Sequence, residues 1–174
     1  MTVSCSQEAN RHGQLEIRYR TRRRRSREQR LGSHRLELRQ KGARGLRRLC
    51  DLGYEVLLET GGGLDIGGVD PRVRRIVDVK CPASGESENN LWANFDLLTP
   101  HDELKFVLAG EADYRWACEV VERHRLAGRC AIHFSPVHGS LEPRDLASWI
   151  LRDRLLVRMQ LQLHKLLWGA ARGV

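Results

Sequence analysis

The chain has 174 residues, 41% of them hydrophobic, and carries a formal charge of +8. That is enough polypeptide for one ordinary domain with a core of its own. No apolar run reaches the roughly 18 to 20 residues of a membrane span, and Met1 to Arg11 lacks a secretory leader's apolar stretch.

Charge is distributed unevenly. Residues 1–42 hold 12 Lys/Arg against 4 Asp/Glu, whereas residues 43–174 hold 18 of each, and every Trp, Phe and Pro falls in the second part. Only residues 43–174 therefore read as a folding unit. The basic arm contains RYRTRRRRSREQR from Arg18, with Arg22 to Arg25 consecutive, which would attract phosphates and suggests a nucleic-acid-binding tail. It has one aromatic for stacking, Tyr19, and no recognisable nucleic-acid module, so the reading preferred is a solvated, disordered segment. Five widely spaced cysteines, Cys5, Cys50, Cys81, Cys118 and Cys130, show neither zinc-knuckle nor redox spacing and fit a reducing, cytoplasmic setting.

Beyond the arm, strands and helices alternate. Leu46, Leu49 and Cys50 predict a helix over 43–52, with Gly53 placed to end it. YEVLLET at 54–60 reads as a strand buried on both faces, and RIVDVK at 75–80 and ELKFVL at 103–108 as further strands. A helix from about Asp113 turns Trp116, Val120 and Val121 inward, and CAIHFS at 130–135 is another strand. Pro143 opens a helix carrying Leu146, Trp149 and Ile150, and LVRMQLQL at 156–163 alternates like a last strand. Five strands separated by helices predict an α/β class with parallel pairing. They are too few for a closed eight-stranded barrel, which leaves an open sheet or part of a larger barrel.

In either architecture, chemistry gathers at the carboxyl ends of the strands. Those ends carry Glu59 and Thr60 before three glycines, then Asp78, Val79 and Lys80, then Ser135, Pro136 and Val137, and finally Gln162, His164 and Lys165. Lys80 reads equally as a ligand cation or a snorkelling side chain, and Lys105 as a snorkelling one. Gln160 and Gln162 share a strand face, suited to a polar heterocycle or to an exposed edge. Cys130, His133 and His138 are candidate zinc ligands by type, but Cys130 and His133 project to opposite faces of a strand, which disfavours the site.

LCDLGYEVLLETGG, VDPRVRRIVDVKCPASGE, NLWANFDLLTPHDELKFV, ADYRWACEVV, FSPVHGSLEPRDLASWIL and MQLQLHKLLWGAARGV together resemble the C-terminal part of the 7-carboxy-7-deazaguanine synthases. These are radical S-adenosylmethionine enzymes, and the likeness runs from about Leu46 to Val174. The resemblance implies a partial (βα) barrel, a [4Fe-4S] cluster, Mg²⁺ and a homodimer. It implies ring contraction of 6-carboxy-5,6,7,8-tetrahydropterin with loss of ammonia, a carbon-nitrogen lyase step towards queuosine. Here the cofactor carries the difficult chemistry and the protein positions it. By the same resemblance Asp78, Val79, Lys80, Ser135, Pro136 and Val137 contact S-adenosylmethionine, and Glu59, Thr60, Gln162, His164, Lys165 and Val174 lie on the pterin side.

The family's CxxxCxxC loop, neighbouring Mg²⁺-binding Thr and TGGEP strand end have no counterpart in residues 1–42. Charge, hydrophobicity and resemblance thus change at one boundary. The expectation is a C-terminal barrel portion over 43–174, with residues 1–42 a shifted reading frame or mis-called start. Such a portion would expose a sheet edge and be unable to turn over alone. The rival expectations are an arginine-rich nucleic-acid binder and a non-catalytic S-adenosylmethionine or pterin module.

Overall fold

The computed structural model of the chain describes residues 15–21, 32–36 and 40–169. In chain order these form strands β1 (Leu15–Thr21) and β2 (Gly32–Leu36), helix α1 (Gln40–Asp51), then β3 (Tyr54–Thr60), β4 (Arg74–Val79) and β5 (Glu103–Leu108). Helix α2 (Glu111–Arg123), β6 (Ala131–Pro136), α3 (Pro143–Arg152), β7 (Arg158–Met159) and α4 (Leu163–Trp168) follow. Three 3-10 turns, Pro82–Ser84, Ser87–Asn89 and Trp92–Leu97, occupy the connection from β4 to β5.

The strands make one sheet in the order β2-β1-β3-β4-β5-β6-β7. From β3 to β7 every pairing is parallel and follows chain order. An order that never reverses has no switch point. It describes the wall of a (βα) barrel rather than a doubly wound sheet.

Burial assigns the two faces. Val56, Leu58, Val77, Val79, Leu104, Phe106, Leu108, Ile132 and Phe134 are buried from the strands, and Leu46, Tyr114, Ala117, Val120 and Leu146 from α1, α2 and α3 join the same cluster. All three helices therefore cover one face. On the other, residues such as Glu59, Asp78, Lys105 and His133 are only half-buried, because strand positions alternate between faces. β3, expected to be buried on both sides, is buried on one.

Two other expectations need correction. The stretch at 156–163 is strand only at Arg158–Met159, and Leu163 already opens α4. Its apolar residues satisfy a period of two before Gln162 and a helical period after it, and the helix prevails in the second half. The arm, expected to be solvated, contributes two strands: β1 runs antiparallel to β3, covering its outer edge, and β2 pairs with β1. Gly53, at φ +79°, ends α1 as expected. Among the described residues, no helix is long and apolar enough to cross a membrane.

Helices α2 and α3 are locked together by a polar clasp under aromatic packing. The Tyr114 ring lies 5.2 Å from that of Trp149, and its hydroxyl donates to Asp153 Oδ2 at 2.7 Å. The Arg152 guanidinium, and after it the Tyr114 hydroxyl, hold the Asp153 carboxyl down at about 2, against an ordinary 3.8. A depressed folded-state value stabilises above the unfolded value and is lost as pH falls through the folded one. Tyr114→Phe is therefore expected to lower the melting temperature at about pH 5, with the gap to the wild type narrowing towards about pH 2. Thermal melts across that interval test this, and a constant gap refutes it.

Candidate functional site

The loop after β3 sits on the end of β4. Gly62 has φ +80°, and a side chain there would meet the Asp78 carbonyl at 3.0 Å. At Gly63 a Cβ would fall 2.8 Å from the Asn89 carbonyl. Glycine is thus required by both backbone conformation and close approach. Two asparagines in the connection from β4 to β5 fix this region, Asn90 by tying that connection to the end of β4 and Asn94 by holding the loop itself. Asn90 Oδ1 accepts the Lys80 N–H at 2.9 Å, and its Nδ2 donates to the Lys80 and Ser87 carbonyls, each at 2.8 Å. Asn94, 1% exposed, donates from Nδ2 to the Gly62 and Leu64 carbonyls at 3.1 and 2.8 Å and accepts the Ile66 N–H at 3.2 Å. Sequence reasoning missed both, although two amides four apart in the otherwise apolar NLWANF were a usable signal.

Beside the loop, Lys80 Nζ donates to Asp78 Oδ2 at 2.6 Å, while Asp78 Oδ1 is buried and has no hydrogen-bond partner. Ser135, at the end of β6, is 0% exposed, and its hydroxyl also lacks a partner. A polar atom in this condition forfeits hydration without recompense, so each marks a place where a ligand would be welcome. Asp78 and Ser135 lie on the face without helices, as parallel register shows: Asp78 pairs with Lys105, Lys105 with His133, and Val107 with Ser135.

The remaining expected residues divide. Glu59 is on this polar face, in register with Ile76. Thr60 and Val79 are buried on the helix side, where the Thr60 hydroxyl accepts the Gly62 N–H at 3.3 Å and shapes the loop. Pro136 is a buried strand residue opposite Leu108, and the Val137 N–H closes on the Leu108 carbonyl at 2.8 Å. Gln162 and Lys165 are half-buried at the start of α4. The His164 side chain and Val174 lie outside the described residues.

Iron is poorly provided for. Among the described residues, no three His, Cys, Asp or Glu converge as a metal site. Burial raises the thiols of Cys81 and Cys130, the latter to about 11, against the thiolate form that a cluster requires. Asp78 and Ser135 thus leave two oxygens open to a polar ligand, and the described residues do not fit a [4Fe-4S] cluster.

The sheet, parallel and in unbroken chain order from β3 to β7 with helices on one face, is that of a partial (βα) barrel. No protein-family profile matches the chain. It is 55% identical over 133 residues to the 7-carboxy-7-deazaguanine synthase of Chlorobaculum tepidum, covering 74% of this chain and 60% of that protein. To the synthase of Koribacter versatilis it is 43% identical over 136 residues, covering 71% and 60%. To that of Leptospira interrogans it is 37% identical over 124 residues, covering 67% and 50%. Over the aligned residues the chain is a relative of the 7-carboxy-7-deazaguanine synthases, and it spans half to three fifths of the length of these three.

Proposed function

We propose that residues 43–174 form the S-adenosylmethionine-binding and substrate-binding portion of a 7-carboxy-7-deazaguanine synthase, with residues 1–42 a basic arm whose strands β1 and β2 border the same sheet. The reaction is the radical ring contraction of 6-carboxy-5,6,7,8-tetrahydropterin with loss of ammonia. The observation that carries this reading is the placement of two partnerless buried oxygens, Asp78 Oδ1 and Ser135 Oγ, on the helix-free face of a chain 55% identical to such a synthase. Bound S-adenosylmethionine would supply a 5′-deoxyadenosyl radical for hydrogen abstraction once given one electron by a reduced cluster, a donor for which the described residues provide no ligands. Ser135 and the Asp78–Lys80 pair bind its polar groups, and the loop at 61–63 brings backbone against it. By similarity Glu59, Gln162, His164, Lys165 and Val174 serve the pterin, whereas Thr60, buried on the helix side, shapes the loop at 61–63. On similarity alone rest the lyase class, the iron-sulfur cluster, Mg²⁺, a cytoplasmic homodimer and a destination in queuosine synthesis. No cluster-dependent step is assigned to the described residues.

Calorimetric titration of the full chain with S-adenosylhomocysteine tests this reading. The wild type is expected to bind, and Ser135→Val to weaken binding about tenfold through the lost hydrogen bond. A wild type that takes up no ligand overturns it.

A further inference from the structure

The helix-free face carries one register row that crosses four strands: Asp78 on β4, Lys105 on β5, His133 on β6 and Arg158 on β7. Neighbours in such a row sit about 4.8 Å apart. The carboxylates near its centre are already matched with bases. Asp78 holds the Lys80 ammonium at 2.6 Å. Glu103 is bridged by the Arg74 guanidinium, and His133 Nε2 stands 3.1 Å from its other oxygen. The His133 imidazole and then Arg74 keep the Glu103 carboxyl ionised below its ordinary range, although burial opposes them.

Lys105 is what remains. It is half-buried, and among the described residues no acceptor or carboxylate is bonded to its ammonium. Lys105 stands on the helix-free face of β5, which lies between β4 and β6 in the interior of the sheet. Arg158, exposed at the end of the row, adds a second cation that has no ion pair among the described residues. Positive charge therefore exceeds negative at the centre of the polar face, close to the partnerless Asp78 Oδ1 and Ser135 Oγ.

We propose that Lys105 binds the carboxylate of a small-molecule ligand lying on this face, an assignment that rests on the functional reading above. The ligand presents its carboxylate to the Lys105 ammonium and a donor to Asp78 Oδ1. That chemistry has two sources here: the amino-acid end of the S-adenosylmethionine molecule, and the carboxyl group of the pterin. Lys105 is a binding residue in this proposal, and no proton transfer is assigned to it.

The test compares two pairs of probes on the full chain by calorimetry: S-adenosylhomocysteine with 5′-methylthioadenosine, and 6-carboxypterin with 6-methylpterin. Each pair differs in whether a carboxylate is present. The wild type is expected to favour the carboxylated member of one pair by at least about tenfold, as a charge-assisted hydrogen bond allows. Lys105→Met removes that preference and leaves affinity for the carboxyl-free partner within about twofold. The pair in which the preference disappears identifies the source. A near-UV circular dichroism spectrum matching the wild type's establishes that the variant is folded. A preference that survives Lys105→Met in both pairs overturns this assignment alone. So does an equal loss for carboxylated and carboxyl-free probes by a folded variant. A wild type that binds none of the four overturns the functional reading and this assignment with it.

Discussion

Replacing Asp102 by alanine is expected to cost about 3–5 kcal/mol of stability, enough to unfold much of the chain at moderate urea concentrations. Asp102 is 1% exposed and pairs with Arg75, itself 9% exposed, at 2.5 Å. It also accepts the Arg75 N–H and Nε–H, each at 2.9 Å, and the Thr99 N–H and hydroxyl, each at 2.8 Å. Burial alone would raise its carboxyl, but these donors outweigh burial and keep it below the ordinary value. Truncation strands the Arg75 charge on the apolar, helix-covered face of the sheet. Breaking a buried pair from one side is far worse than removing both partners. The double variant Arg75→Leu, Asp102→Leu is therefore expected to recover much of the loss. Urea denaturation of the two single variants and the double variant provides the measurement. A single-variant loss below about 1 kcal/mol would show that the pair is solvated.

Asn94→Ala is expected to destabilise by about 2–4 kcal/mol, because it leaves the Leu64 carbonyl and the Ile66 N–H without their partner, while the Gly62 carbonyl keeps the Leu91 N–H. Its second consequence is functional. Asn94 holds the Gly62 and Leu64 carbonyls and the Ile66 N–H, so its loss frees the loop that overlies Asp78. A folded Asn94→Ala chain should bind S-adenosylhomocysteine about tenfold more weakly, since the loop must then be ordered at the expense of binding. Asn94→Asp, which keeps the acceptor and loses both donors, should fall between the two. Equal affinity in wild type and folded Asn94→Ala would place the loop away from the ligand.

The parts legible in the sequence were those with a single strong period. β5 alternates cleanly and runs from Glu103 to Leu108, as its pattern indicates. α3 begins at Pro143, where proline suits a first helical turn. β1 was less visible, although Leu15, Ile17 and Tyr19 alternate with Glu16, Arg18 and Arg20. The arginine run beside it dominates the composition and masked a short period of two. β7 failed differently: two strand residues are too few to carry any pattern.

At the site, the ends of β3, β4 and β6 carry polar residues as expected, whereas Gln162 and Lys165 belong to the start of α4, and alternation decides which side each strand residue serves. Thr60 and Val79 stand next to Glu59 and Asp78 in sequence and face the opposite way. Lys105 was the harder case. A lysine in an apolar strand reads as a snorkelling side chain, and only the parallel register places it between Asp78 and His133. Asn90 and Asn94 bond backbone across 10 and up to 32 positions of sequence, which local reasoning does not reach.

The two margins of the sheet have a consequence for association between chains. β2, at one margin, has five residues, and β7, at the other, has two. Stacking chains side by side into a fibril requires long rows of free peptide groups, and neither rim offers one. The parallel strands β3 to β6 are thus fenced by β1 and β2 on one side and β7 on the other, the marginal strands being too brief to template another copy, and peeling β1 from β3 would open a seven-residue seam.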